Sequence, residues 1–274
     1  MKTIIVATDF STAALNAAYY AADMASAIHA DLLLLHVYQI PVVYPGIPVS
    51  AEDEMVSDAK KSLSLLKEQL IIRTDGKLSI KTKFSAGFFF QELKAICEKI
   101  KPYSVVMGSQ GSTAAERVFY GSHTVYAMKH LMWPLITVPP GAGFSQIKKI
   151  CIACDFEKVI ESIPVDEIER LINDFDAELY IIHSGEKELH QPDLVFESGL
   201  LQEMLMSLKP QYHFIVNENR DEGIFNFVEK NNIDLLIALP KSYGFLKKII
   251  HKSFSKQLIL HSKVPVMAMH SIPD

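Results

Sequence analysis

Three glycines stand at fixed intervals in MGSQGSTAAERVFYGSHT, residues 107–124. They are Gly108, Gly111 after two intervening residues, and Gly121 after nine more, with Ser122 directly following. An apolar run, SVVM, leads into this segment, and VYAMKHL, helical in character, leads out of it. A strand that breaks into glycines and reaches a serine at a helix start suits an anion. Glycine lets backbone N–H groups approach a phosphate with no side chain in the way. The helix start adds unpaired N–H donors and a partial positive charge. Ser122 and Thr124 can donate hydroxyl hydrogen bonds to the same anion. A single glycine beside Ser122 would read as a turn with an ordinary helix cap; the spaced set favours phosphate.

Other chemistries find less support. The chain has no GxxxxGK[ST] phosphate loop and no paired carboxylates beside the glycines, so no nucleophile, base or metal pair emerges. Its ten histidines include no HExxH spacing, and no catalytic or metal-ligating residue is predicted. Three cysteines are too few for a disulfide framework. Cys151 and Cys154 form a C-x-x-C, but inside KKICIACDF, which reads as a strand. Redox pairs of this spacing open a helix, whereas residues three apart on a strand face opposite ways. A formal net charge of −5 argues against nucleic acid as a partner. No segment has the length of a membrane span, and the run before Asp9 is too short for a signal peptide. The expectation is a cytoplasmic protein with no membrane partner.

The elements that must position the glycines follow from hydrophobic patterning. In the first half, strands are expected at 3–8, 31–37, 78–84, 103–107 and 134–138, and helices after Ser11, over 51–71 and over 88–100. Ser11 is the expected cap of a helix whose small residues recur at 14, 17, 18, 21, 25 and 28. Alternating strands and helices imply a parallel sheet covered on both faces. The whole arrangement then recurs at a period near 146 residues: KKICIACDF echoes KTIIVATDF, AELYIIH echoes ADLLLLH, VEKNNIDLLIAL echoes CEKIKPYSVVMG, and KVPVMAM echoes MWPLITV. Such a unit is too long for a solenoid repeat and suits a duplicated domain. PPGAGFSQ, 139–146, is the linker, so the predicted domains are 1–140 and 147–274.

The glycine series closely resembles the G-x2-G-x9-G-[ST] signature of the universal stress protein family. The opening TDFS, with Thr8, Asp9, Phe10 and Ser11, and the LLHV strand ending in His36 and Val37 are similar to the same family. The resemblance is strong over about 1–140 and holds in outline over 147–270. It implies two tandem doubly wound domains, each a five-stranded parallel sheet of order 3-2-1-4-5. In that order Asp9 and Gly108 end the strands on either side of a topological switch point, where ligands of open α/β sheets bind. It also implies an adenine nucleotide there: ATP, or AMP or ADP, with or without Mg. Thr8, Asp9 and Val37 would surround adenine and ribose. Met107, Gly108, Ser109, Gln110, Gly111, Gly121, Ser122, His123 and Thr124 would follow the ribose and phosphates. Gln110 stands where the family often has His or Arg, and His123 where it often has an apolar residue. The function implied is a nucleotide-binding stress-response sensor or regulator. A slow ATP-hydrolysing or other ATP-using enzyme of related fold, and a ligand-free scaffold, are the alternatives. The SGGxDS loop of many such enzymes is replaced here by ATDFSTAA.

Several residues carry two readings. Asp9 could simply cap the following helix, and His36 and His183 read as hydrogen-bonded core residues. Tyr38 and Tyr44 either cover the nucleotide or pack a loop; Arg117 reads as a solvated loop residue or a phosphate contact. In the second domain an offset of 131 sets Leu239 opposite Gly108, Ser242 opposite Gly111 and Lys252 opposite Gly121, with only Ser253 retained opposite Ser122. That domain is therefore expected to have lost the phosphate site. The alternative there is a basic cluster including Lys241, Lys247, Lys248 and Lys252 that holds an anion differently. Family members dimerise through the last strand, so the duplication resembles a covalent internal pseudo-dimer, with further homo-oligomerisation left open.

Overall fold

A computed structural model describes residues 2–39, 49–109, 123–154, 156, 158–184, 192–215, 219–240 and 261–271. The chain divides into two compact units, Met1–Ala127 with Leu135–Ser145 and Met128–Pro134 with Gln146–Asp274. Both are α/β, with parallel strands flanked by helices.

In the first unit the strands are β1 (Thr3–Ala7), β2 (Asp31–Tyr38), β3 (Ile80–Ala86), β4 (Ser104–Gly108) and β5 (Leu135–Val138). The helices are α1 (Thr12–Ala27), α2 (Val49–Arg73), α3 (Phe89–Ile100) and α4, residues 123–130 among those described. The order is β3-β2-β1-β4-β5, every neighbour parallel. β1, β4 and β5 are almost wholly buried, as expected of strands with helices on both faces. β3, at the edge, buries Ile80 but exposes Lys81, Thr82 and Lys83, with Phe84 and Ser85 half-buried. It begins two residues later than its apolar pattern suggests. Leu78, read as strand, is buried but lies before the ladder, two residues after the turn that Asp75 and Gly76 make with left-handed backbones.

α1 is an alanine helix. Ala13, Ala14, Ala17, Ala18, Ala21, Ala22 and Ala25 are all buried, so its backbone lies close to β1 and β4. Ser11 caps it by accepting a hydrogen bond from the Ala14 N–H at 3.2 Å. On α3, Leu93 and Cys97 are buried, and Ile100 is exposed. Beyond β5, Asn16 of α1 donates to the carbonyls of Pro139 and Ala142, tying down the start of the Pro/Gly-rich stretch.

The second unit repeats the design with β6 (Lys149–Ala153), β7 (Glu178–Ser184), β8 (Gln211–Ile215), β9 (Leu235–Ala238) and β10 (Val266–Ala268). Its helices are α5 (Val159–Ser162), α6 (Val165–Phe175), α7 (Pro192–Met204) and α8 (Arg220–Lys230). The order is β8-β7-β6-β9-β10, again all parallel. Register repeats as well as order. Ile4 pairs with Ser104 in the first unit and Ile150 with Leu235 in the second, which reproduces the sequence offsets of 146 and 131. Cys151 lies in β6 and Cys154 just beyond it, both buried and neither in a disulfide. Among the described residues no helix is long and apolar enough to cross a membrane, and no group of His, Cys, Asp and Glu could hold a metal ion.

Candidate functional site

The candidate site lies where β1, β2 and β4 end in the first unit. β1 pairs with β2 on one side and β4 on the other, so the strand order reverses between β1 and β4. Thr8 and Asp9 follow β1 directly, and Gly108 closes β4.

Each first-strand residue is held by a local hydrogen bond. The Thr8 N–H donates to the Leu35 carbonyl at 2.9 Å, extending the β1–β2 ladder by one residue. The Thr8 hydroxyl oxygen, buried, accepts from the Phe10 N–H at 3.1 Å. Asp9 is exposed, and one carboxylate oxygen accepts from the Ser11 N–H at 2.9 Å. The capping reading of Asp9 is thus correct in part: the carboxylate organises the turn into α1, while the residue stays open to solvent. Between them Phe10 has φ 65, a left-handed backbone that costs a non-glycine residue roughly 1–2 kcal/mol. Its ring stacks on His36 with centroids 4.6 Å apart, and His36 in turn lies 5.9 Å from Phe84. His36 Nδ1 sits 2.8 Å from the Thr8 carbonyl. A carbonyl only accepts, so Nδ1 carries the proton. His36 is the hydrogen-bonded residue its position suggested.

Gly108 is required by close approach rather than by dihedral freedom. A Cβ there would lie 2.8 Å from both the carbonyl carbon and the oxygen of Ala13 in α1. The alanine helix and the glycine strand end are therefore one packing solution. The Gly108 carbonyl accepts from the Thr124 hydroxyl at 3.2 Å, which brings the start of α4 onto the end of β4. Ser109 donates its N–H to the Val138 carbonyl, and its buried hydroxyl has no hydrogen-bond partner among the described residues.

A second contact crosses from β2 to α4: Gln39 Nε2 lies 3.2 Å from His123 Nε2. When the amide nitrogen donates, that imidazole nitrogen must be unprotonated. His123 also meets the edge of Phe89 at 5.3 Å, and Phe90 meets Tyr126 at 4.8 Å, so two aromatic pairs join the starts of α3 and α4. Met107 is buried and Val37 half-buried. Tyr38 is buried, stacked 6.4 Å from Phe84, and its hydroxyl has no hydrogen-bond partner among the described residues. Gln110, Gly111, Gly121, Ser122, Tyr44 and Arg117 lie outside the described residues.

Thr8, Asp9, Gly108, His123 and Thr124 are thus gathered at one sheet end. Sequence reasoning missed Ala13 and Gln39 as parts of it, and the joint role of Phe10, His36 and Phe84. A signal for the last was present, because Phe follows Asp and His ends the second strand in both halves. In the second unit Phe156 has φ 53 and stacks on His183 at 4.8 Å. His183 Nδ1 lies 3.1 Å from the Cys154 carbonyl, and Phe214 occupies the register position of Phe84. Of the residues set opposite the glycines, Leu239 follows β9, while Ser242, Lys252 and Ser253 lie outside the described residues, as does the basic cluster.

Comparison with known proteins places these features in context. The model of the "Universal stress protein family" matches residues 1–139. Universal stress protein MJ0531 from Methanocaldococcus jannaschii is 27% identical over 139 residues, covering 50% of this chain and 81% of its own. Among solved structures, a universal stress protein from Archaeoglobus fulgidus superposes with a TM-score of 0.72 at 18% identity, over 98% of this chain and 96% of that one. The functionally unknown protein PA1789 from Pseudomonas aeruginosa has a TM-score of 0.58 at 14% identity, over 98% and 92%. Both structural likenesses extend across both units.

Proposed function

Because this chain belongs to the universal stress protein family, we propose that its first domain, residues 1–140, binds one adenine nucleotide and that the protein acts as a sensor or regulator through its bound state. The observation that carries this reading is the placement of Asp9, just past the end of β1, and Gly108, the last residue of the neighbouring β4, at the switch point, with the G-x2-G-x9-G-S series continuing from Gly108. ATP is the expected nucleotide. Its adenine and ribose would lie by Thr8, Asp9 and Val37, and its phosphates by Gly111, Gly121, Ser122 and the start of α4. Exposed Asp9, with only one carboxylate oxygen engaged in the turn, fits a ribose or base contact. The helix start and backbone N–H groups supply the attraction for phosphate. The chemistry is binding; the residues identified include no general base aimed at a γ-phosphate.

The second domain, residues 147–274, is structural or regulatory. Leu239 stands where the first domain has Gly108, and a side chain at that strand end takes up space that glycine leaves free. The two domains form an internal pseudo-dimer, and the protein is cytoplasmic.

Isothermal calorimetry with ATP, run with and without Mg, tests the reading. The expected result is one nucleotide per chain, abolished by Gly121→Val, because a β-branched residue obstructs the phosphate approach and resists a positive φ. Unchanged affinity in that variant overturns the assignment, and two nucleotides per chain overturn the division of labour between the domains.

A further inference from the structure

We infer that Phe10, His36 and Phe84 form a lock at the strand ends that aims Asp9 into the cleft, making His36 a positioning residue for the ligand. The inference deepens the nucleotide reading and rests on it only for the ligand's identity.

Three observations converge. Phe10 holds a left-handed backbone that a bulky residue does not adopt unaided. Its ring is held against His36, which has Phe84 at its other side. His36 Nδ1–H is bonded to the carbonyl of Thr8, the residue before Asp9. The peptide units on both sides of Asp9 are therefore fixed, one by the imidazole hydrogen bond and one by the ring stack. With the backbone set, the carboxylate accepts the Ser11 N–H while Asp9 stays exposed.

The second unit separates this device from phosphate binding. Phe156 is also left-handed, stacks on His183 with rings 13° from parallel, and lies 6.1 Å from Phe214. The Phe156 N–H approaches Cys154 Sγ at 3.3 Å, as the Phe10 N–H approaches the Thr8 hydroxyl. The lock recurs in a unit whose sequence has lost the glycine series. It therefore serves the geometry of the turn after the first strand and not the phosphate loop itself.

Amide hydrogen exchange of the full-length protein without ligand gives the direct test, since the Ser11 N–H reports the Asp9 carboxylate. His36→Leu keeps bulk and loses the donor; His36→Asn keeps an N–H that can reach Thr8. The Leu variant should speed Ser11 and Phe10 exchange about fivefold or more, with Val105 and Val106 in β4 unchanged. The Asn variant should restore slow exchange. Should His36→Leu fail to fold, Phe10→Gly, which fits the left-handed region without strain, removes the stack and is read at the same amide. Unchanged Ser11 exchange in His36→Leu, or in Phe10→Gly where the Leu variant fails to fold, overturns the lock, as does equal acceleration throughout the first unit. A cycle of ATP affinities adds the second arm. Asp9→Ala and His36→Leu should each weaken binding about tenfold, and the double variant should be no weaker than Asp9→Ala. Additive losses overturn the positioning role. If Ser11 responds while the wild-type protein binds no ATP, the lock stands and the nucleotide reading falls. If ATP binds and Ser11 does not respond, the lock falls alone.

Discussion

Single atoms decide much at the sheet end. Gly108 is the clearest case, because the added methyl of Gly108→Ala would meet the Ala13 backbone at 2.8 Å. Backbone cannot swing aside as a flexible side chain can, so α1 or β4 must move. Overpacking of this kind costs about 1–3 kcal/mol. Urea denaturation of the variant should show that loss as a lower midpoint with an unchanged m-value. A midpoint within error of wild type would mean that α1 has room to retreat. Cys97 offers a second test at this scale. It is fully buried against the sheet, and burial, helped by Glu98, pushes its thiol from 9.0 up to about 12. The folded state therefore favours the neutral thiol. The contribution is fully present below pH 9 and is lost as pH rises from there toward about 12, where the unfolded chain has already ionised. Stability curves for wild type and Cys97→Ala should converge over that alkaline interval. In the native protein at neutral pH, Cys97 should also resist iodoacetamide until the chain is unfolded.

Elements act as supports for these atoms. α1 is short in hydrophobic bulk but rich in alanine, and its value lies in letting backbone approach backbone beside β1 and β4. Its first turn is held by two side chains, Asp9 accepting from Ser11 N–H and Ser11 accepting from Ala14 N–H. Ser11→Ala removes the second acceptor and should cost about 1 kcal/mol. That variant should also weaken nucleotide binding modestly, because Asp9 loses part of its frame. Thermal denaturation checks the first effect and calorimetry the second. No change in melting temperature would mean that Asp9 alone suffices as the cap. At the other side of the cleft, the Phe89–His123 and Phe90–Tyr126 pairs tie the starts of α3 and α4 together. The β3–α3 turn is thereby coupled to the helix that follows the glycine series.

For the molecule as a whole, the duplication is the governing fact. The two units share strand order, register and the stacked Phe–His lock, yet only the first carries the glycine series in its sequence. A pseudo-dimer of one binding and one supporting domain predicts that residues 1–140 and 147–274, expressed separately, associate when mixed. An apolar terminal strand left unpaired is otherwise an aggregation liability. Analytical ultracentrifugation should show a mixed or homodimeric species, and two stable, non-interacting monomers would refute the arrangement.

The sequence by itself determined the class of fold, the repeat and the strand ends that carry Asp9 and Gly108. Periodicity and apolar runs are local properties, and the 146-residue echo requires no coordinates. The identities of Ser11 as cap and His36 as a hydrogen-bonded residue were equally legible, because each follows from a side chain's reach to nearby backbone. Tertiary structure alone decided why Gly108 must be glycine. The reason is the path of Ala13, far from it in sequence but brought against it by the crossover. It also brought Phe10, His36 and Phe84 together, since a residue just past β1 and residues on β2 and β3 meet only once register is set. Strand boundaries fell between the two: Leu78 has the hydrophobicity of a strand residue, but the left-handed Asp75–Gly76 turn holds it outside the ladder. Local sequence specifies what a residue prefers; packing between distant segments specifies which of its preferences is used.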